Sequence, residues 1–227
     1  MNINKIRMPV DISMTILSVI LMGGAYLFPA DIIHEILGAA LFVLWAVHIS
    51  LNRRWYGAIF KGKYNPYRVM QTVINCSILI CTIFLMISGI ILSSHLFAFL
   101  KIESGLGFAR IAHLLASHWY FLFMAMHIGL HIQMIAGKMK VPREGFSSIV
   151  LRVIFILISL YGIYAFIIRG IWKYLILRQQ FFFLDLERGY FRFALDYISI
   201  IVLFATVIHY LLKLKFRSSE AGRKKYR

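Results

Sequence analysis

Histidine is the residue type in this 227-residue sequence whose spacing could support chemistry. Of the eight histidines, His34 and His48 are separated by the same interval as His113 and His127. On an α-helix, this interval of about 14 residues advances the chain by about 21 Å and returns to within about 40° of the starting direction. The two histidines of each helix therefore project from one face at two depths. Neutral imidazole is a good ligand for iron.

The segments that carry these histidines are long and apolar. Hydrophobic residues make up 61% of the chain and charged residues only 15%, whereas soluble domains have about 45–50% and about 25%. Six stretches reach the roughly 20 residues that are needed to cross a bilayer. We expect spans 1 to 6 at 11–28, 32–51, 70–93, 109–135, 149–169 and 193–213. The sequence therefore predicts an all-α protein of the lipid bilayer with six transmembrane helices.

The net charge of +16 comes from basic residues that cluster between the spans. A nucleic-acid-binding protein would carry such charge on a soluble fold, so we expect no nucleic-acid partner. Cytoplasmic loops of membrane proteins are enriched in Lys and Arg. With both termini in the cytoplasm, 18 of the 25 basic residues lie on the cytoplasmic side, and this bias predicts that orientation.

Spans 2 and 4 run in the same direction because span 3 returns the chain between them. His34 and His113 then lie near the outer start of their spans, and His48 and His127 lie one equal interval further in. We call these couples the His34 pair (His34 with His113) and the His48 pair (His48 with His127). A haem takes one axial ligand on each face of its ring. The sequence predicts a four-helix bundle of spans 1–4 that holds two haem b groups, with the His34 pair on the outer iron and the His48 pair on the inner iron.

Two further histidines leave the assignment in span 4 open. His131 lies one turn beyond His127 on nearly the same face, so it is an alternative inner ligand. His118 is rotated by about 140° from His113 and would point elsewhere. His127 is preferred because its distance from His113 repeats the interval between His34 and His48.

Small and basic residues near the pairs could complete the cofactor sites. Small residues let helix backbones approach a cofactor, although they also serve ordinary packing in membrane bundles. Propionate groups of a haem bind cations near the membrane faces. The predicted contacts are Gly23, Gly24, Gly38 and Gly89 near the His34 pair, Arg110 at the outer edge, and Arg53 or Arg54 at the inner edge.

Residues 136–227 follow the predicted di-haem bundle of residues 1–135 and form a second part. They contain spans 5 and 6, a basic cytoplasmic tail and a long outer loop at 170–192. The aromatic run Phe181–Phe183 in that loop favours an interfacial helix, which would anchor the chain at the membrane surface or dock a redox partner. The polar residues that would continue this helix are Asp185, Glu187, Arg188 and Tyr190.

Four stretches carry a resemblance to a known family. They are HEILGAALFVLWAVHISLNRRW at 34–55, ARIAHLLASHWYFLFMAMHIGLH at 109–131, GIYAFIIRG at 162–170 and QQFFFLDLERGYF at 179–191. They resemble the flavinylation-associated cytochromes of bacteria, and more distantly the core of respiratory cytochrome b. The matching positions are the four histidines of the two pairs, while His118 stands where an aromatic or small residue is expected. The resemblance covers nearly the whole chain and implies a haem protein of the bacterial cytoplasmic membrane that passes electrons to extracytoplasmic proteins bearing covalent flavin.

Together these expectations describe transmembrane electron transfer through two stacked haem groups, without catalytic residues of the chain's own. The donor would be the quinol pool or a cytoplasmic-side donor, and the acceptor an extracytoplasmic flavoprotein. One alternative is a non-haem transporter or proton-conducting protein that uses the histidines as a relay. Transporters usually show broken helices and buried carboxylates, of which the spans are short. The other alternative is a membrane anchor subunit of a reductase.

Overall fold

The computed structural model describes residues 3–142, 144–184 and 189–225, with side chains over 6–142, 144–184 and 189–214. Over the described ranges the chain is helical and contains no β-strand. Two short 3₁₀ turns lie at Ala25–Leu27 and Ala98–Leu100. The α-helices are α1 Ile3–Leu21, α2 Asp31–Leu51, α3 Arg53–Ala58, α4 Pro66–Leu92, α5 Leu106–Lys138, α6 Phe146–Ile168, α7 Ile171–Leu175 and α8 Gly189–Lys225.

Five of the described helices are long and apolar enough to cross a membrane. They are α2, α4, α5, α6 and the Gly189–Leu214 part of α8. Their boundaries agree with the predicted spans 2 to 6 to within four residues. The all-helical, multi-pass character expected from the sequence is confirmed to this extent.

Span 1 differs from its prediction, and six spans are not confirmed. The corresponding helix, α1, carries Lys5, Arg7 and Asp11 and is not among the helices apolar enough to cross. It ends at Leu21, seven residues earlier than predicted. The reason lies just beyond, where Gly24 has a φ of +61°, a conformation that is incompatible with continuing a right-handed helix.

Local side-chain chemistry sets the start of α4, four residues before the predicted span 3. Asn65 precedes the helix in an extended conformation, and its Oδ1 accepts a hydrogen bond from the backbone N–H of Arg68 at 2.8 Å. Pro66 then occupies the first helical turn, where no backbone N–H is needed. The capping residue and the proline together extend α4 beyond its apolar part.

The helix α5 lies at the centre of the fold. It packs against α4 on one side and against α8 on another, while α8 also packs against α6 and α1 pairs with α2. Close helix contacts occur at two glycines, because a Cβ on Gly129 would meet the Ala205 backbone of α8 and a Cβ on Gly162 would meet the Ser199 backbone of α8. The predicted boundary between the two parts of the chain, at 135/136, falls in the last turns of α5, and this division of the chain stays a prediction.

The loop before α8 does not form the predicted interfacial helix at its aromatic run. Its helical part is α7, whereas Phe181–Phe183 is not helical. The hydroxyl oxygen of Tyr174 accepts hydrogen bonds from Gln179 Nε2 at 2.8 Å and from the backbone N–H of Phe183 at 3.2 Å, so this N–H is not available to a helix. Burial raises the pKa of Tyr174, which keeps the phenol neutral. Of the polar residues in that prediction, Asp185, Glu187 and Arg188 lie outside the described residues.

Candidate functional site

The four histidines predicted from their spacing lie together as two couples. The ring centroids of His34 and His113 are 6.4 Å apart, with 65° between the ring planes. Those of His48 and His127 are 6.3 Å apart, with 74° between the planes. Both couples join α2 to α5, and their nearly equal geometry recurs at two levels along the same two helices.

The couples lie where α2 stands apart from the central helices. None of the described residues of α2 is buried, and this helix packs mainly on α1 rather than on α4 or α5. A Cβ placed on Gly38, one turn after His34, would meet nothing within 4 Å. A Cβ on Gly89 would meet only the His113 ring, at 3.8 Å. Two of the four predicted glycines, Gly38 and Gly89, therefore border open space, whereas a Cβ on Gly23 would meet the Leu27 side chain at 2.8 Å.

The tautomer of His113 follows from its neighbour on α4. Nδ1 of His113 lies 3.0 Å from Oγ of Ser88, which is buried. The Ser88 hydroxyl donates its own proton to the Phe84 carbonyl oxygen at 2.6 Å, so its oxygen accepts the hydrogen bond from Nδ1–H of His113. With the ring proton on Nδ1, Nε2 carries an unprotonated lone pair that can ligate a metal.

Oxygen acceptors also hold Nδ1 in both rings of the His48 pair. His127 lies with Nδ1 2.8 Å from Oδ1 of Asn75. His48 lies with Nδ1 2.7 Å from the Asp11 carboxylate. These bonds again leave Nε2 as the ligating atom, and a carboxylate or amide oxygen behind a histidine is the usual arrangement around a metal. The Asn52 amide nitrogen lies 3.4 Å from Nε2 of His48, which is long for a hydrogen bond.

His34 is held differently from the other three. Its Nδ1 is buried and makes no hydrogen bond with a described residue, although the backbone of Gly24 is close to the imidazole ring. Gly24 therefore lies near His34, and its predicted contact with a cofactor stays a prediction. Its positive φ and the Phe182 ring, which would be 2.8 Å from a Cβ, are what require glycine at this position.

The structure brings His127, rather than His131, against His48. The His131 ring lies 4.7 Å from that of His127, and no ring contact between His131 and His48 occurs in the described part of the chain. His118 points away from both couples, as its rotation on α5 predicted. It is 1% exposed, its Nδ1 bonds to the Leu114 carbonyl at 2.8 Å, and its ring stacks on Tyr174 at 4.2 Å.

The predicted cationic partners lie at the ends of the histidine-bearing helices. Arg110 is one turn before His113 on α5, and Arg53 and Arg54 follow the end of α2 that carries His48. All three side chains are exposed. Their contact with a cofactor stays a prediction.

The donor set limits what metal these couples could hold. Among the described side chains, no group of three or more His, Cys, Asp or Glu is close enough to bind a bare metal ion. Structural and catalytic zinc sites use three or four such ligands. A metal ion held by two histidines must therefore bring other ligands of its own. Because a metal–imidazole bond is about 2 Å long, two imidazoles on opposite sides of one metal have centroids about 6–6.5 Å apart, which matches both couples.

Asp11, Asn75 and Ser88 are site residues that the sequence reasoning missed. A usable signal existed for two of them, because Asn75 and Ser88 are polar residues of span 3 whose separation is almost that of the histidines they contact. Asp11 gave no such signal. Its contact with His48 depends on how α1 lies along α2.

Comparisons with models of protein families, with curated proteins and with solved structures find no match for this chain. The function is therefore inferred from the geometry of the histidine couples and from the resemblance in sequence.

Proposed function

We propose that this protein transfers electrons across a membrane through two haem b groups, each held by two histidines. The observation that carries the proposal is the recurrence of one geometry, with imidazole centroids 6.4 Å and 6.3 Å apart in the two couples. A haem supplies four equatorial nitrogens and a one-electron iron couple when it is bound. The two histidines of each couple would supply the two further nitrogen ligands that such an iron lacks.

The residues behind three of the four histidines fix the direction of the ring. Ser88 orients His113, Asn75 orients His127 and Asp11 orients His48, so Nε2 of each of these three is directed by a bond on the far side of its ring. Rings that are held in this way need little rearrangement on binding. Gly38 and Gly89 leave space for a macrocycle beside the His34 pair. Arg110 is the proposed partner of the propionates at the His34 pair, and Arg53 or Arg54 is the proposed partner of those at the His48 pair.

The separation of the two couples supports transfer across the bilayer rather than along one face. His34 and His48 lie near opposite ends of α2, and the helical rise between them is about 21 Å. The hydrocarbon core of a bilayer is about 30 Å thick. Two sites separated in this way lie toward opposite faces, so that a donor and an acceptor on the two sides can each approach one of them.

The proposed orientation places both termini in the cytoplasm and the His48 pair toward that side, in a bacterial cytoplasmic membrane. A quinol or another cytoplasmic-side donor would deliver electrons there, and an extracytoplasmic flavoprotein would receive them at the other face, as the resemblance to flavinylation-associated cytochromes implies. We place such a donor in the open groove of about 360 Å³ between α3 and the start of α4, whose lining includes Lys61 and Arg68. Its lining also includes Trp55, Tyr67 and Thr72, and Thr72 is one turn from Asn75 of the His48 pair.

Haem quantification tests the ligands. The purified protein should contain two haem groups per chain and show the reduced spectrum of a b-type cytochrome. His34→Ala and His113→Ala should each remove one and the same haem, and His48→Ala and His127→Ala the other. His209→Ala on α8, outside both couples, is the control and should retain both. A protein without haem would overturn the proposal and favour the transporter, and haem loss in His118→Ala or His131→Ala would overturn the assignment in α5.

Transfer across the membrane needs its own measurement. Proteoliposomes that enclose ferricyanide, which does not cross the bilayer, should reduce it when a short-chain quinol is added outside. His34→Ala and His48→Ala should each abolish this reduction, because each interrupts the path at one level. Haem that no quinol or flavoprotein can reduce or oxidise would instead favour the anchor subunit.

A further inference from the structure

The two couples differ in the charge of the groups that hold their histidines. His48 donates from Nδ1 to the Asp11 carboxylate at 2.7 Å, and its side chain is 25% exposed. The nitrogen of His113 meets a hydroxyl and that of His127 an amide, which are both neutral. A direct carboxylate contact therefore belongs to the His48 pair alone among the described residues.

The position of Asp11 is fixed by the packing of α1 on α2. One turn before Asp11, Nη2 of Arg7 donates to the Leu51 carbonyl at 2.7 Å, at the end of α2. This bond ties α1 to the same end of α2 that carries His48. The Asp11 carboxylate is thus held against the imidazole by the helix pair and not only by its own side-chain rotamer.

The carboxylate nearest to the His34 pair is used for another purpose. Glu35 follows His34 in sequence, but its carboxylate accepts a hydrogen bond from the Ser93 hydroxyl at 2.6 Å and from the backbone N–H groups of residues 94–96 at 2.8–3.2 Å. It closes the loop after α4 and contacts no imidazole nitrogen. Asp31 is exposed in the first turn of α2.

An anionic acceptor behind a ligating imidazole changes the redox balance of the metal. The carboxylate draws the Nδ1 proton and increases the electron density at Nε2, which makes the histidine a stronger donor. A stronger donor and a nearby negative charge stabilise the oxidised iron, which carries one more positive charge than the reduced iron. A neutral hydroxyl or amide acceptor stabilises the oxidised iron to a smaller extent than a carboxylate does.

We propose that Asp11 makes the iron site of the His48 pair the one with the lower reduction potential, so that electrons run from the His48 pair to the His34 pair. This inference rests on the proposed function. One electron lost at the His48 site is gained at the His34 site, and the step is downhill in that direction. With the termini in the cytoplasm, this direction is outward, from a quinol to an extracytoplasmic flavoprotein.

A potentiometric titration of the haem spectra tests the inference on the whole protein. In His34→Ala, the haem at the His48 pair should be the one that remains, so its reduction potential is measured alone. This potential should match the lower of the two wild-type potentials. Asp11→Asn keeps an oxygen acceptor but removes the charge. This variant should shift the redox equilibrium of the site toward the reduced iron by about tenfold or more. For one electron, a tenfold shift raises the reduction potential by about 59 mV. Asp11→Glu should restore most of the wild-type value.

Two further variants separate charge from structure. Asp11→Leu removes the acceptor as well, so it should also weaken haem retention at the His48 site. Glu35→Gln is the matched control, because it removes a carboxylate that contacts no imidazole nitrogen, and it should leave the lower potential in place. The inference is overturned if Asp11→Asn moves the higher potential or neither, or if the haem left in His34→Ala has the higher potential. Those results would leave the proposed function intact, whereas a protein without haem would overturn both.

Discussion

Oδ1 of Asn75 on α4 lies 2.8 Å from Nδ1 of His127 on α5. Ser88, nearer the end of α4, makes the equivalent contact with His113, which lies nearer the start of α5. Because the two helices run in opposite directions, one antiparallel interface orients both rings. α4 therefore serves to orient the histidines of α5, while α1 does the same for His48 through Asp11.

The contacts made by α4 lead to a first prediction. Ser88→Ala and Asn75→Leu remove the acceptor behind one histidine each without removing a ligand. Loss of such a supporting bond typically reduces metal affinity by about 10–100-fold. We expect each variant to lose one haem faster than the wild type to an excess of a haem-scavenging apoprotein, as followed by the transfer of absorbance.

Ser159→Ala is a matched control for this loss. Ser159 is a buried serine on α6 whose hydroxyl donates to the carbonyl four residues earlier, as that of Ser88 does, but it contacts no histidine. Its variant should release haem at the wild-type rate. Equal release from the Ser159 and Ser88 variants would mean that the effect comes from helix stability and not from ring orientation.

The open space beside Gly38 and Gly89 leads to a second prediction. A Cβ at Gly38 would meet no atom within 4 Å, and we expect Gly38→Leu to fold normally in the haem-free protein. It should nevertheless obstruct a macrocycle at the His34 pair and reduce the haem content from two to one per chain. Gly89→Leu should act in the same way.

Gly137→Leu provides the comparison for the glycine variants. Gly137 is also helical and also has no atom within 4 Å of a Cβ, but it lies near the end of α5 and away from the couples. It should keep both haem groups. Two haem groups in Gly38→Leu would show that the macrocycle does not use the space beside this glycine.

The parts of the molecule that could be predicted from the sequence are those that depend on one helix at a time. Spans 2 to 6 follow from apolar length, and the meeting of each histidine couple follows from equal spacing on two helices of the same direction. The contact of Asp11 with His48 could not be predicted, because it depends on how α1 lies along α2, whereas the spacing of Asn75 and Ser88 gave a usable signal. The end of α1 at Leu21 was missed because an apolar stretch continues through the glycines that stop the helix.

The loop at 181–184 shows the same limit. Its aromatic run is typical of a membrane-surface helix, yet Tyr174 takes the backbone N–H of Phe183 and Gly24 receives the Phe182 ring. Gly24 is distant from this loop in sequence, and the contact of Tyr174 with Phe183 follows no periodic pattern. The conformation of this loop therefore depends on contacts that composition alone does not reveal.

The close packing of α8 leads to a third prediction. A Cβ on Gly162 would collide with the Ser199 carbonyl oxygen of α8, and backbone cannot move aside as a side-chain tip can. Gly162→Ala should lower the free energy of unfolding by about 1–3 kcal/mol, the range for overpacking. Gly137→Ala, in open space, should be neutral or stabilising by up to about 1 kcal/mol. Thermal denaturation of both variants in the same detergent measures the difference, and equal midpoints would contradict the close approach.

A buried ion pair between α6 and α8 leads to the fourth prediction. Nε of Arg169 lies 2.8 Å from Oδ2 of Asp196, and the two side chains are 7% and 5% exposed. The other carboxylate oxygen accepts a hydrogen bond from the Tyr161 hydroxyl. Removing one partner of a buried pair leaves a charge in an apolar surrounding, at a cost of about 3–5 kcal/mol. Asp196→Leu and Arg169→Met should therefore each be strongly destabilised.

The double variant tests whether this cost comes from the charge. Asp196→Leu combined with Arg169→Met removes both charges and should regain most of the lost stability, because apolar residues can replace a buried pair at little or no cost. The measurement is the thermal unfolding midpoint of the two single variants and the double variant in one detergent. A double variant no more stable than the worse single one would mean that the hydrogen bonds of this cluster, and not its charge balance, hold α6 against α8.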